Sequence, residues 1–435
     1  MRVVVVGAGP IGLFCGMTLA RRGHQVTLVD RDGGPEADGS WARRGVMQFL
    51  HPHGFRPQVV DALTAELPDV LDAILAAGGL LAHVEGAPDF VRALQCRRST
   101  FERAMWHCAA REPGLALRTG HVDRFVSSAG RVCGVVVDGA TVDADLVVCA
   151  SGRAGHIPGD ERAPAEGGSC GTSYVSRMYR ARPGVDVPVS GLPMGSLYDG
   201  YLAIVFPQDD STISALVSRP STDTALAELR RTEVYEAAAR LVPQLAAWTD
   251  PERFEPITPV LPGGGLTNTY RSQLAPDGSV PVAGLFFVGD ATSTTNPAAG
   301  RGVALGLLQA RHLLACLDDS RDLTEVSLAL DAWCQENIRP WYDDHVHWDA
   351  TQVRRWAGED LDLDAPIPSD VVCAAAAELP EIAPLAGMYA GMVVLPAALA
   401  PFQEPTRALL RTGWRPPLAA GPSRDELVGA LPVLA

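Results

Sequence analysis

Three glycines and an acid at fixed spacing are the first residues of this chain that can do chemistry. Gly7, Gly9 and Gly12 stand in Gly7-Ala8-Gly9-Pro10-Ile11-Gly12, and Asp30 follows eighteen residues after Gly12. Gly7 permits a tight turn, Gly9 lets the backbone approach a pyrophosphate, and Gly12 lets a helix pack close to a strand. A helix starting here aims free N–H groups and a partial positive charge at phosphates. Asp30 can accept a hydrogen bond from a ribose hydroxyl. A second constellation lies far along the chain, where Gly289-Asp290 precedes Asn296-Pro297-Ala298-Ala299-Gly300-Arg301-Gly302. Its carboxylate can hold a ribityl hydroxyl, and the helix beginning near Ala299 points N–H groups at an electron-rich ring. A third stretch, Trp41 to Gln48 with His51 and His53, is dense in polar side chains, among them Arg43, Arg44 and Gln48. The two histidines can act as acid and base or orient a ligand.

Such residues need elements to position them. Met1 to Val6 reads as a strand, Leu13 to Arg22 as an apolar helix, and His24 to Val29 as a second strand. That is the strand–turn–helix–strand context the glycine fingerprint requires. Asp145 to Cys149 is a continuous apolar run, as in a buried parallel strand, and leads into Ala150-Ser151-Gly152-Arg153. Gly284 to Val288 is a further buried strand, which carries Asp290 to the carboxyl edge of the sheet, where open α/β folds bind ligands. Helices are expected over Pro57 to Ala77, Arg97 to Ala110 with Ser99 as its cap, Thr224 to Leu241, Ala299 to Leu317, and most of Leu323 to Trp356. Leu80 to Cys96 reads as one or two strands, and Val122 to Val137 as an antiparallel meander.

From Ser169 the pattern changes to short strands separated by turns: Tyr174 to Arg180, Gly195 to Asp199, Leu202 to Pro207, Ser211 to Val217 and Pro256 to Leu261. The fold class is α/β. A Rossmann-like nucleotide-binding domain is expected over 1–79, 97–165 and 266–320. An inserted mixed β-sheet domain for the substrate covers 80–96 and 166–265, and a helical region covers 321–435. Tyr174, Tyr198, Tyr201 and Phe206 alternate with small residues and are expected to line an apolar pocket.

At 435 residues, with 47% hydrophobic and 20% charged residues, the chain is globular and large enough for two or three lobes. A net charge of −15 opposes nucleic-acid binding. All 36 basic residues are arginine, so neither a lysine Schiff base nor a lysine general base is available. The nine cysteines form no C-x-x-C pair, and no metal site is expected. The chain opens directly in a core strand, which argues against a signal peptide and for a cytoplasmic protein. Ile382 to Phe402 is apolar over about one membrane thickness, but Pro384, Pro396 and Pro401 interrupt it. A buried helical hairpin is expected there, not a membrane span.

Taken together, four segments resemble the FAD-dependent aromatic-hydroxylase superfamily over residues 1 to 317. They are G-A-G-P-I-G…D, R-R-S-T-F-E from Arg97, D-L-V-V-C-A-S-G-R from Asp145, and G-D-A…N-P-A-A-G-R-G from Gly289. Within it, Arg43 to Gln48 with His51 and His53 is similar to the R-x-G-V-x-Q…H segment of flavin-dependent epoxidases and hydroxylases of polyketide and terpene metabolism. The resemblance implies a glutathione-reductase-type FAD-binding domain and non-covalent FAD. It gives Gly7, Gly9 and Gly12 to the pyrophosphate, Asp30 to the adenosine ribose, Arg98 to the pyrophosphate region and Val122 to adenine, and counts Arg31, Arg43, Ser151 and Gly152 among the cofactor-binding residues. Asp290 falls to the pyrophosphate and ribityl chain, and Gly300, Arg301, Gly302 and Val303 to the isoalloxazine. Arg43, Gln48, His51, His53 and Pro297 become the catalytic candidates.

One departure matters. The family's middle motif usually reads A-D-G and serves both FAD and NADPH; here Ser151 replaces the acid, beside Gly152. Styrene-monooxygenase-like proteins also lack it and receive reduced flavin from a partner reductase. The electron donor is therefore NADH or NADPH, acting directly or through a flavin reductase. The halogenase branch is disfavoured, because the chain has no W-x-W-x-I-P and no lysine. The expected activity is a monooxygenase that uses molecular oxygen, through a flavin hydroperoxide, to hydroxylate or epoxidise a hydrophobic natural-product-like molecule. Its rivals are a geranylgeranyl-reductase-like dehydrogenase or reductase, and a non-catalytic flavin-fold binding protein. A monomer or homodimer is expected.

Overall fold

The computed structural model describes the chain except residues 37, 39, 42, 44, 154–156, 190–193 and 433–435. At its centre is a five-stranded parallel sheet in the order Leu285–Phe287, Leu146–Cys149, Arg2–Val6, Gln25–Asp30, Leu115–Thr119. Val3 to Val6 and Leu146 to Cys149 are buried at every position. Both faces of these strands are covered, which is why they read as unbroken apolar runs. Side chains alternate between the two faces. Val3 and Val5 pack with the helices Pro10–Arg21 and Gly302–Asp319. Val4 and Val6 pack with the antiparallel meander Val122–Ser128, Arg131–Val137 and Ala140–Asp143.

A six-stranded sheet forms the second lobe. Met194–Tyr198, Tyr201–Pro207, Thr212–Pro220, Thr172–Ala181 and Phe254–Pro256 follow one another, and Leu261–Gly263 also pairs with Thr172–Ala181. One face of Tyr201–Pro207 packs against the helices Thr232–Leu241 and Pro243–Thr249 through Tyr201, Ala203 and Val205. Its other face carries Leu202, Ile204 and Phe206 toward Tyr174 and Leu266.

Several elements depart from the sequence reading, each for a local reason. The helix expected over Pro57 to Ala77 is two, Pro57–Glu66 and Pro68–Ala76. Pro68 has no N–H to donate and its ring excludes the preceding turn, so the first helix must end before it. Thr224 to Leu241 resolves into a short 3-10 turn, Leu226–Arg230, and the helix Thr232–Leu241. Pro256 to Leu261 is not one strand: Phe254–Pro256 and Leu261–Gly263 flank it, pairing with different parts of one neighbour. Ser99 does not cap its helix, which begins at Arg98 with Arg97 as the flanking residue. In Ile382 to Phe402 the helix Ala383–Ala390 packs on the 3-10 segment Pro396–Phe402. Tyr389 and Leu399 are buried there, but Met388 and Val393 are exposed, so burial is one-sided. Among the described residues no helix is long and apolar enough to cross a membrane.

Candidate active site

A cavity of about 450 Å³ runs along the carboxyl edge of the parallel sheet. Its floor is built from the ends of four strands, at Val6-Gly7, Val29-Asp30, Ala150-Ser151 and Val288-Gly289. Gly7 has φ +102°, and a Cβ there would lie 2.5 Å from the Ala150 carbonyl oxygen. A Cβ on Gly12 would lie 1.7 Å from the Gly7 carbonyl oxygen. Gly12 is therefore a packing glycine, and it does not line the cavity. Gly9 does, and no protein atom lies within 4 Å of where its Cβ would stand. The helix Pro10–Arg21 begins immediately after it, with proline at the first position and no side-chain cap. Pro10 and Ile11 of its first turn line the cavity.

Asp30 lines the same cavity, and both its oxygens already have protein donors. Oδ2 accepts from the Ala8 N–H and from Arg43 Nη2 at 3.1 Å, and Oδ1 from the Asp32 N–H at 2.8 Å. Arg43 is buried and fully committed: Nε meets Asp32 Oδ2 at 3.1 Å, while Nη1 donates to the Ala8 carbonyl at 3.0 Å and to Glu102. Glu102, with no exposure at all, also takes Arg98 Nε. Arg43 and Arg98 share this one acid, and neither brings an unbalanced charge into the cavity. Arg31 and Val122 line the same end. Arg44, expected beside Arg43, lies outside the described residues.

Asp290 stands at the other end. Its side chain opens into the cavity and has no hydrogen-bond partner among the described residues. The side chain is exposed to the cavity, but the protein packed around that cavity desolvates it and pushes its carboxyl above the ordinary range, against the pull of Arg98 and Arg153. The turn carrying it is fixed by the Gly289 N–H, which donates to Gln309 Oε1 at 3.0 Å. Ser151, Gly152, Pro297, Gly300, Arg301, Gly302 and Val303 complete this wall, and Phe206, Leu266, Met47 and Gln48 close the side toward the second sheet.

The histidines are neutral groups held in place. The His53 ring lies on the cavity wall, with Nδ1 donating to the His51 carbonyl at 3.0 Å and Nε2 accepting from Arg98 at 3.2 Å. Burial, with help from Arg98, pushes it down to about 3. His51 does not reach this cavity. It borders a neighbouring apolar pocket with Trp41, Phe49 and Pro262, its Nδ1 2.8 Å from Ser176 Oγ, and burial pushes it down to about 4.

The four aromatic residues of the second lobe do not share a pocket. Phe206 lines the cavity, and Tyr174 packs edge-on against His51 on the same face of the sheet. Tyr198 and Tyr201 stack on each other at 4.9 Å on the opposite face. Tyr201 and Phe206 are an odd number of residues apart on one strand, so their side chains cannot point the same way. Sequence reasoning passed over Glu102, whose four-residue spacing from Arg98 was the available signal. It also passed over Gln309 and Leu266, for which the sequence carries no local signal.

This arrangement can be set beside known proteins. Residues 2–85 match the family model described as "FAD dependent oxidoreductase". D-amino acid dehydrogenase 2 of Ralstonia nicotianae is 35% identical over 86 residues, which are 20% of this chain and 16% of that protein. Over nearly the whole chain the likeness is structural. The flavin-dependent brominase Bmp2 superposes with a TM-score of 0.63 at 14% identity, covering 95% of this chain and all of that one. The fold is that of the flavin-dependent monooxygenases and halogenases. PqsL of Pseudomonas aeruginosa, a probable FAD-dependent monooxygenase, has a TM-score of 0.60 at 18% identity over 82% of this chain and 98% of its own. 2-Methyl-3-hydroxypyridine-5-carboxylic acid oxygenase has 0.59 at 15%, over 90% and 95%.

The residues of this flavoprotein fold suit FAD on their own geometry. An open cradle at Gly9, at the start of a helix, has room for a pyrophosphate. An unpartnered carboxylate at Asp290 is free to accept from hydroxyl donors. Both belong to one elongated cavity.

Proposed function

We propose that this protein is an FAD-dependent monooxygenase that hydroxylates or epoxidises a hydrophobic small molecule. One observation carries the reading: the cavity with the Gly9 cradle and Asp290 continues, without a partition, to the apolar wall of Phe206, Leu266 and Met47. Cofactor and an apolar substrate would therefore meet in one space. The bound flavin supplies oxygen activation, and the protein supplies position and desolvation. Asp290 and the N–H groups after Gly9 hold the cofactor's polar parts. Arg43, spent on Asp30, Asp32 and Glu102, braces the wall instead of touching substrate. His53 and Arg98 present a fixed, neutral imidazole and a paired cation. Gln48 and Pro297 stand where they can orient a bound substrate. Reducing equivalents come from NADH or NADPH, directly or through a flavin reductase.

The test compares turnover of FAD-loaded protein, reduced by dithionite, with and without oxygen, on a panel of aromatic, polyketide and terpenoid compounds. Oxygen-dependent products heavier by one oxygen atom are expected. Equal product formation without oxygen would replace this reading with a reductase, product formation by the oxidised protein without oxygen would replace it with a dehydrogenase, and protein that takes up no FAD would leave only a binding role.

A further inference from the structure

The turn Asn296–Gly302 faces the cofactor cavity with Pro297, Gly300, Arg301 and Gly302, yet it is held from outside the nucleotide-binding sheet. Most of the holding comes from one C-terminal helix, Arg339–Trp356. Two of its carboxylates, Asp344 and Asp349, stand five residues apart and grip opposite ends of the turn. Asp349 Oδ1 accepts from Asn296 Nδ2 at 2.8 Å, and its Oδ2 from Asn268 Nδ2 at 2.7 Å. Asn268 Oδ1 accepts in turn from the Asn296 N–H at 2.7 Å, and Asn296 Oδ1 caps Ala298 at 3.1 Å.

At the other end Arg301, only 2% exposed, donates to Asp344 at 2.9 Å and to the Tyr389 hydroxyl at 2.7 Å. Tyr389 donates to Asp344 at 2.6 Å, and the Arg301 guanidinium lies 4.5 Å above the Trp341 ring. Between the ends, Arg56 joins the Ala299 carbonyl to that of Ala390, at the end of the helix Ala383–Ala390. The turn needs such holding: Gly300 sits at φ +61°, and the backbone on either side of it changes direction.

We propose that Asp344, Asp349 and Tyr389 are positioning residues that set the Asn296–Gly302 turn against the bound flavin. A region beyond the nucleotide-binding fold thereby governs cofactor affinity and redox behaviour. The grips on Asn296 are buried and several of the others are charge-assisted, so the turn cannot shift without breaking one of them. None of the three residues lines the cavity, so none touches the cofactor or the substrate.

The inference rests on FAD as the cofactor. The experiment compares wild type with Asp349→Asn, which turns one acceptor into a donor facing a donor, and Tyr389→Phe, which removes one oxygen. Folding is checked by circular dichroism. The readouts are FAD binding to apoprotein, the visible absorption band of bound flavin, and its midpoint potential. We expect both variants to fold. The FAD dissociation constant should rise about tenfold, the size of one charge-assisted hydrogen bond, with a shifted band and potential. If Asp349→Asn does not fold, Tyr389→Phe decides by the same readouts. Folded variants with wild-type affinity, band and potential would overturn the positioning role alone. Wild-type protein that takes up no FAD would overturn the cofactor reading as well.

Discussion

Gly9 and Gly12, three residues apart, have opposite physical duties, and substitution separates them. Gly12 is in steric contact with the turn before it; a Cβ would stand 1.7 Å from a backbone oxygen that cannot swing aside. Gly12→Ala should cost several kcal/mol, about the scale of core overpacking, and lower the melting temperature of apoprotein and holoprotein together. Gly9 has φ −76° and open space beside it. Gly9→Ala should leave apoprotein melting within a degree or two of wild type while FAD binding weakens about tenfold or more, because the methyl occupies the pyrophosphate's approach. Equal loss of apoprotein stability in the two variants would refute the division.

The two histidines make a second residue-scale prediction, for pH. Both are lowered, from 6.5 to about 4 for His51 and to about 3 for His53, chiefly by burial. The unfolded chain therefore binds protons that the folded chain refuses. Their contribution to stability is complete above pH 6.5 and is lost as pH falls toward their folded values. Each should add about 1.4 kcal/mol per pH unit to the slope of unfolding free energy within that window. His51→Gln with His53→Gln should flatten the curve between pH 6 and 4, measured by urea unfolding at fixed pH. At neutral pH neither ring is an imidazolium, so neither is poised as a cationic general acid.

At the scale of elements, the two faces of the strand Tyr201–Pro207 divide stability from substrate contact. Tyr201 donates to the Pro422 carbonyl at 2.8 Å within the helix-covered face. Tyr201→Phe should cost about 1 kcal/mol, the worth of one buried hydrogen bond, and leave turnover unchanged. Phe206→Ala should leave FAD affinity unchanged but raise KM for the apolar substrate severalfold, by removing an aromatic wall of the cavity. Steady-state kinetics and thermal melts on the same preparations separate the two outcomes.

The same strand shows what was legible in the sequence and what was not. The parallel strands, the glycine turn and the Gly289-Asp290 turn could be read directly, because their signals are local: unbroken β-branched runs, a fixed glycine spacing, an acid at a strand end. The break at Pro68 and the opposite facing of Tyr201 and Phe206 were also written locally, in proline chemistry and in the two-residue period of a strand. The grip of Asp344 and Asp349 was not. Its partners are 43 and 53 residues away, at Arg301 and Asn296, and no spacing rule links a helix face to a turn that the fold brings beneath it.

For the whole molecule, charge and the middle motif converge on the supply of electrons. NADH and NADPH are polyanions, and a protein of net charge −15 slows their encounter by long-range repulsion. At the cavity floor Ser151 stands in place of the acid that the resembling enzymes use for both dinucleotides. Its hydroxyl lies 3.2 Å from Cys149 Sγ, so it is turned at least partly back toward its own strand. The cavity beside it measures about 450 Å³. On the proposed function the cofactor's polar groups would take both its ends, at Gly9 and at Asp290, and a nicotinamide donor would share the remaining space with the substrate. Reduction of the FAD-loaded protein by NADH or NADPH alone, followed at the visible flavin band under anaerobic stopped flow, should therefore be slow and unchanged by added substrate. Turnover should rise at least about tenfold, more than 1.4 kcal/mol in barrier, when a separate flavin reductase supplies reduced flavin. Rapid reduction by either nicotinamide without a reductase would show that the repulsion is overcome locally and that Ser151 is no obstacle. Ser151→Asp would then leave the rate unchanged, whereas direct reduction that rises in this variant would trace the block to Ser151.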